Sequence, residues 1–275
     1  MSKEHIRREN LKTNFLKQTI IRLDYDYLFE DEIERIVKNS INFLTEKKYK
    51  MNSRTLSEYK INVNMEQLNV DNNQAFNMQE NNKEEFSSFI NKEKDSTINI
   101  TKNFTTMTVK YNSFEKFENL IEEFNEIVDK IKNIREGFSF NRIGIRKTNF
   151  YILKDINKIN NYFETNTLDF NKLITDKNKI ITKNSMESFL YSDYKVNQMC
   201  NTARGVLTDK EKNKEEQVYQ VILDIDVYKD EIKDNEINLK DMNDKLFEIY
   251  KSALNVEFLE SLEKENFEDG VIIRI

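Results

Sequence analysis

FSFNRIGIRKTNFYIL, residues 138–153, reads as one long strand near the middle of a 275-residue chain. Side chains alternate faces along a strand. Ile143 and Ile145 therefore share one face, and Arg142, Gly144 and Arg146 share the other. At roughly 3.3 Å per residue the two arginines stand about 13 Å apart. Gly144 between them leaves backbone that a partner can approach closely. One reading is a basic cleft for an anion. The other is that carboxylates of the same chain pair with both arginines, and a net charge of −6 supplies candidates.

On either side of this strand the spacing predicts three strand-to-helix units. Residues 15–26 lead into a helix over 30–46, whose Ile33, Ile36, Val37, Ser40, Ile41 and Leu44 keep a 3.6-residue period. Residues 105–111 lead into a helix from 113 to 132, opened by Asn112 and Glu115 in the manner of a capping box. Residues 217–228 lead into a last long helix from 239 to about 264, capped by Asn238 and Asp241. Further strands are expected over 50–67, 86–91 and 96–102, with one or two over 185–207 and a short one over 271–275. Short helices are expected near 159–163 and 168–174. The Asn-rich run 69–82 and the charged run 208–216 read as connections. Together these elements predict an α+β fold, antiparallel sheet with amphipathic helices packed on one face. The spacing also accommodates two ferredoxin-like units. Residues 1–95 form an N-terminal α+β part and 96–275 a second, or the two are continuous.

Composition narrows the chemistry. With 38% hydrophobic residues, 19 Phe and 12 Tyr the chain has material for a core, so wholesale disorder is not expected. No run approaches roughly 18 uncharged apolar residues, so no membrane helix is expected. The charged start lacks the apolar stretch of a secretory signal. One cysteine, Cys200, permits no intrachain disulfide, which fits a reducing, cytoplasmic setting. His5 is the sole histidine, which leaves Ser-His-Asp and Cys-His systems with one candidate near the N-terminus. HExxH, Cys/His zinc spacings, GxxxxGK[ST] and GxGxxG are all absent. No cofactor, catalytic residue or metal ligand is assigned on this basis.

The second pattern is VILDIDVY, residues 221–228. Asp224 and Asp226 share a strand face with Ile222 and Tyr228. Paired strand carboxylates can hold a divalent metal. They can also neutralise Arg142 and Arg146 on a neighbouring strand, or present an exposed binding patch.

Arg142-Ile-Gly-Ile-Arg146 with Asn149, and Leu223-Asp-Ile-Asp-Val-Tyr228, together resemble the marker strands of a sporadically distributed, uncharacterised bacterial protein family. Leu246, Phe247 and the segment from Glu248 to Phe258 are similar to that family's last helix. The resemblance spans about residues 95–265. Lys147 and Thr148 depart from it, as does the proline-free N-terminal part. It implies no activity and no catalytic residue. Its patchy distribution implies a phage, mobile-element or defence context.

The expected function is a non-enzymatic protein-binding factor of the inhibitor, antitoxin or immunity type. An acidic, aromatic-rich surface suits a basic partner protein, including a nucleic-acid-binding one. Arg142, Gly144, Arg146, Asn149, Asp224, Asp226 and Tyr228 are the candidate binding residues. The runner-up is a metal-dependent nucleic-acid-processing enzyme or an RNA-binding protein, with Asp224 and Asp226 at its centre. No membrane partner is expected.

Overall fold

A computed structural model describes residues 3–63, 76–110, 117–167, 181–209, 214–232 and 236–264, with backbone alone for 53–63, 76–86, 208, 209 and 214. In chain order the elements are β1 (Leu16–Tyr25), α1 (Glu30–Glu46), β2 (Lys50–Val63), β3 (Phe76–Asn91), β4 (Ser96–Ile100), β5 (Phe104–Lys110), α2 (Phe117–Lys132), β6 (Phe140–Leu153), β7 (Thr182–Tyr191), β8 (Tyr194–Asp209), β9 (Lys214–Asp230), α3 (Leu239–Ala253) and α4 (Val256–Lys264). The result is an α+β fold.

The strands form one sheet in the order β2-β3-β4-β5-β1-β6-β9-β8-β7. Every pairing is antiparallel. β1, from the N-terminal part, lies between β5 and β6. The boundary drawn at residue 95 therefore falls inside a continuous sheet.

Alternation decides which face of each strand is buried. Ile21 and Leu23 of β1, Ile98 and Ile100 of β4, Met107 and Val109 of β5, Ile143 and Ile145 of β6, and Leu223, Ile225 and Val227 of β9 all lie in the core. Their neighbours in sequence are half-buried or exposed and mostly polar on β1, β4 and β5. The helix stripes meet this core through Ile36 and Leu44 of α1, Leu120, Phe124 and Ile127 of α2, Leu246 and Ile249 of α3, and Leu259 and Leu262 of α4. α3 lies against β6 and β9, while α2 touches both α1 and α3. An aromatic group centred on Tyr151 joins sheet to helix: its ring meets those of Phe15, Phe163 and Phe258, and its hydroxyl lies 3.3 Å from that of Tyr250. Cys200 on β8 is buried, and burial pushes its thiol up to about 12.

Several expectations are corrected. Residues 76–82 of the supposed Asn-rich connection belong to β3, which pairs with β2 as a long hairpin. Cross-strand pairing overrides the low strand propensity of Asn here. Likewise β8 runs to Asp209 and β9 begins at Lys214, so the charged connection is shorter than expected. The last helix is two. At the break, the Asn255 N–H donates to the Tyr162 carbonyl at 2.9 Å, and the Glu164 N–H donates to the Ala253 carbonyl at 3.0 Å. A docked segment thus takes over backbone groups that a continuous helix would use itself. The helix expected near 159–163 is a 3-10 turn at Ile156–Asn161. The expected cap at Asn112 and Glu115, the helix near 168–174 and the strand over 271–275 lie outside the described residues.

Candidate functional site: a charged ladder and an open edge

β6 and β9 pair with Gly144 opposite Tyr228, Arg146 opposite Asp226 and Thr148 opposite Asp224. The two sequence patterns are thus side by side; Arg146 reaches one step diagonally to Asp224, while Arg142, opposite Asp230, reaches two steps along the same face, past Tyr228, to Asp226. Arg146 Nε donates to both Asp224 oxygens at 2.9 Å, and its Nη2 makes a closer contact to Oδ2. Arg142 Nη2 lies 3.3 Å from Asp226 Oδ2, and its Nε lies 4.0 Å from Asp230. Lys195 of β8 closes the row on Asp230 at 2.8 Å. Arg22 on β1 forms a separate pair with Asp24 at 2.6 Å on the same face.

Burial differs sharply within the row. Asp224 is 5% exposed, while the Arg146 side chain is half exposed. The hydrogen bond to Asp224 holds the Arg146 guanidinium above its usual range. Burial raises the Asp226 carboxyl above its ordinary value, against the opposing pull of Arg142 and Arg146.

Gly144 has a different role from the expected open approach. A Cβ there would sit 3.1 Å from Tyr228 Cβ. The missing side chain lets Tyr228 pack close to β6, and the Arg142 guanidinium lies 4.0 Å from the centre of that ring. The bare backbone is therefore filled from within. Six of the seven candidate residues come together on this face. Asn149 does not: it points to the opposite face, is buried, and donates to the Leu223 carbonyl at 3.4 Å.

The metal reading fares poorly on this geometry. Both oxygens of Asp224 accept from one guanidinium, and a second guanidinium stands against Asp226, so cations of the chain occupy the space a divalent ion needs. Among the described residues, no group of three or more His, Cys, Asp or Glu side chains could hold a metal. No described helix is long and apolar enough to cross a membrane.

Two features escaped the sequence reading. Lys147 is buried on the helix-bearing face, where its Nζ lies 2.6 Å from Asn243 Oδ1 and 4.6 Å from the centre of the Phe117 ring. Burial, with the Arg8 charge, lowers its ammonium to about 7. Its parity with Ile143 and Ile145 was the available signal. The second is β7, the last strand of the sheet. Met186 is 68% exposed and Leu190 74%, and Phe189 and Tyr191 on the other parity are also exposed. The apolar residues of 186–191 fall on both parities, whereas a half-buried strand confines them to one.

No protein-family model matches the chain, and no curated protein sequence matches it.

Proposed function

We propose that this chain is a non-enzymatic protein-binding factor, and that its binding edge is β7. The observation that carries this reading is the exposure of Met186, Phe189, Leu190 and Tyr191 on a terminal strand. An edge strand offers a row of backbone donors and acceptors to another chain. Native edges are ordinarily blunted by charge, proline or a bulge. β7 carries only Lys183 and Glu187 as charged residues, and apolar side chains flank its edge above and below. That combination suits strand addition by a partner, with backbone bonds giving affinity and side-chain contacts giving specificity.

The charged ladder supports the same reading by subtraction. Lys195, Arg142 and Arg146 face Asp230, Asp226 and Asp224, so the row carries no excess of either sign. Phosphate binding needs a positive excess. We read the ladder as internal stabilisation of the sheet. The inhibitor, antitoxin or immunity role in a phage or mobile-element setting rests on the family resemblance.

The order β4-β5-β1-β6, with α1 and α2 in the intervening connections, favours one ferredoxin-like unit with the β2–β3 hairpin inserted. β7, β8 and β9 follow one another directly, so they favour an appended meander over a second unit.

The test is affinity capture from the native host with wild-type protein and with Leu190→Lys. A stoichiometric protein retained by the first and lost by the second is the expected result. A chain that retains nothing and shows metal-dependent nuclease activity refutes the reading.

A further inference from the structure

We infer that the occupant of the β7 edge is β7 of a second copy of this chain, paired antiparallel about a two-fold axis through Met186. This rests on the reading of β7 as a binding edge and commits it to one partner.

One self-complementary register engages nearly the whole strand. Antiparallel pairing that continues the same sheet must set residues of equal parity opposite each other. Four registers bring most of β7 into play, and an axis at Ser185, although it sets Lys183 directly opposite Glu187, pairs only 182–188 and leaves Phe189 and Leu190 outside the seam. An axis at Glu187 sets Glu187 against Glu187 of the other copy, and like charges directly opposite are destabilising. An axis at Ser188 leaves 182–184 unpaired. An axis at Met186 pairs 182–190 of each copy, with Met186 on Met186, Lys183 opposite Phe189 and Ser185 opposite Glu187. Lys183 and Glu187 of different copies then become diagonal neighbours of opposite charge, twice over. This register forms roughly eight to ten new backbone hydrogen bonds, two for each hydrogen-bonded pair. It also gathers Met186, Phe189 and Leu190 from both copies at the seam. Two-fold dimers with self-complementary interfaces are the commonest oligomers.

Among the described residues, the surroundings leave room for it. Nearly all of β7 is exposed on both faces. Side chains on the helix-facing parity, Phe189 and Tyr191, remain open to solvent. A second copy approaching edge-on therefore meets strand before helix.

Sedimentation equilibrium at micromolar concentration tests this with the full chain, whose monomer mass is 33.1 kDa. Wild type is expected to run at twice that mass. Met186→Lys and Met186→Glu, both at a solvent-exposed position, are each expected to weaken the dimer at least tenfold while leaving the circular dichroism spectrum unchanged. Mixed in equal amounts, the two are expected to dimerise again, because opposite charges then meet on the axis. A wild-type monomer, a dimer indifferent to Met186→Lys, or a mixture that fails to reassociate overturns the inference. The two readings separate by capture. A wild-type monomer that still retains a foreign protein through Leu190 overturns the second-copy inference and keeps the binding edge. A wild-type monomer with no capture at β7 overturns both.

Discussion

Arg146 and Asp224 show how unequal burial decides the worth of an ion pair. Removing Arg146 leaves a carboxylate that is 5% exposed without its partner. Breaking a fully buried pair costs about 3–5 kcal/mol. The Arg146 side chain is half exposed, so solvent screens part of this. Arg146→Ala is expected to cost about 2–3 kcal/mol in urea denaturation, below that range. Asp226→Asn is the contrast. The folded carboxyl lies above its ordinary 3.8, so the native state holds the proton more tightly than the unfolded chain. Ionised Asp226 therefore works against the fold at neutral pH, and that penalty fades as pH falls through the folded value. Asp226→Asn at pH 7 is expected to stay within about 1 kcal/mol of wild type, the lost contact with Arg142 being partly exposed. Lys147 has the opposite charge and a usable pH window. Its folded value of about 7 lies below the ordinary 10.5, so between them the unfolded chain carries the extra proton. Stability is expected to rise with pH from 7 to 8 by up to about 1.4 kcal/mol. Urea midpoints that rise in wild type and stay flat in Lys147→Met are the check. Above about pH 8 Cys200 works the other way, because burial holds its folded thiol up to about 12 while the unfolded thiol ionises near its ordinary value, so the slope is read below that pH. The arginine–aspartate pairing was legible in the sequence, since two arginines at spacing four on one long strand and two aspartates at spacing two on another, each pair on one face, invite a ladder. Which aspartate each arginine reaches was not, because the register of β6 against β9 is set between segments far apart in sequence.

Elements were legible where one periodicity dominated. α1 has the expected bounds, and its Ile33, Ile36, Val37, Ser40 and Leu44 are buried, although Ile41 remains 38% exposed. At the start of α3 the Asn238 side chain accepts from the Asp241 N–H at 3.0 Å, as the spacing indicated. Loss of such a cap typically costs about 1 kcal/mol. Asn238→Ala is expected to lower stability by that amount, and Asn238→Ser to restore most of it, measured by thermal melting. Elements made by their neighbours were illegible. β3 draws its Asn-rich half into the sheet through β2, and the α3–α4 break is imposed by residues 162–164. Neither partner is near in sequence.

At the scale of the molecule, the decisive fact is that β1 separates β5 from β6. A fragment of residues 96–275 would keep both neighbours and lose the strand between them. It would also lose the ring of Phe15 against Tyr151. That fragment is expected to remain unfolded by circular dichroism and one-dimensional NMR, whereas two independent domains would give a folded fragment. The three strand-to-helix units were visible as local patterns. Their merger into one sheet was not, because pairing β1 with β6 joins segments more than a hundred residues apart and leaves no local trace.

Cys200 turns this architecture into its own clock. The thiol sits on β8 opposite Leu223, with burial pushing it up to about 12, and it is the sole sulfhydryl in the chain. Only the thiolate reacts with disulfide reagents. Labelling by an aromatic disulfide such as DTNB is therefore gated by separation of β8 from the core. In the limit of fast reclosing, the labelling rate reads the free energy of that opening directly, with no foreign dye, tag or engineered reporter in the native protein.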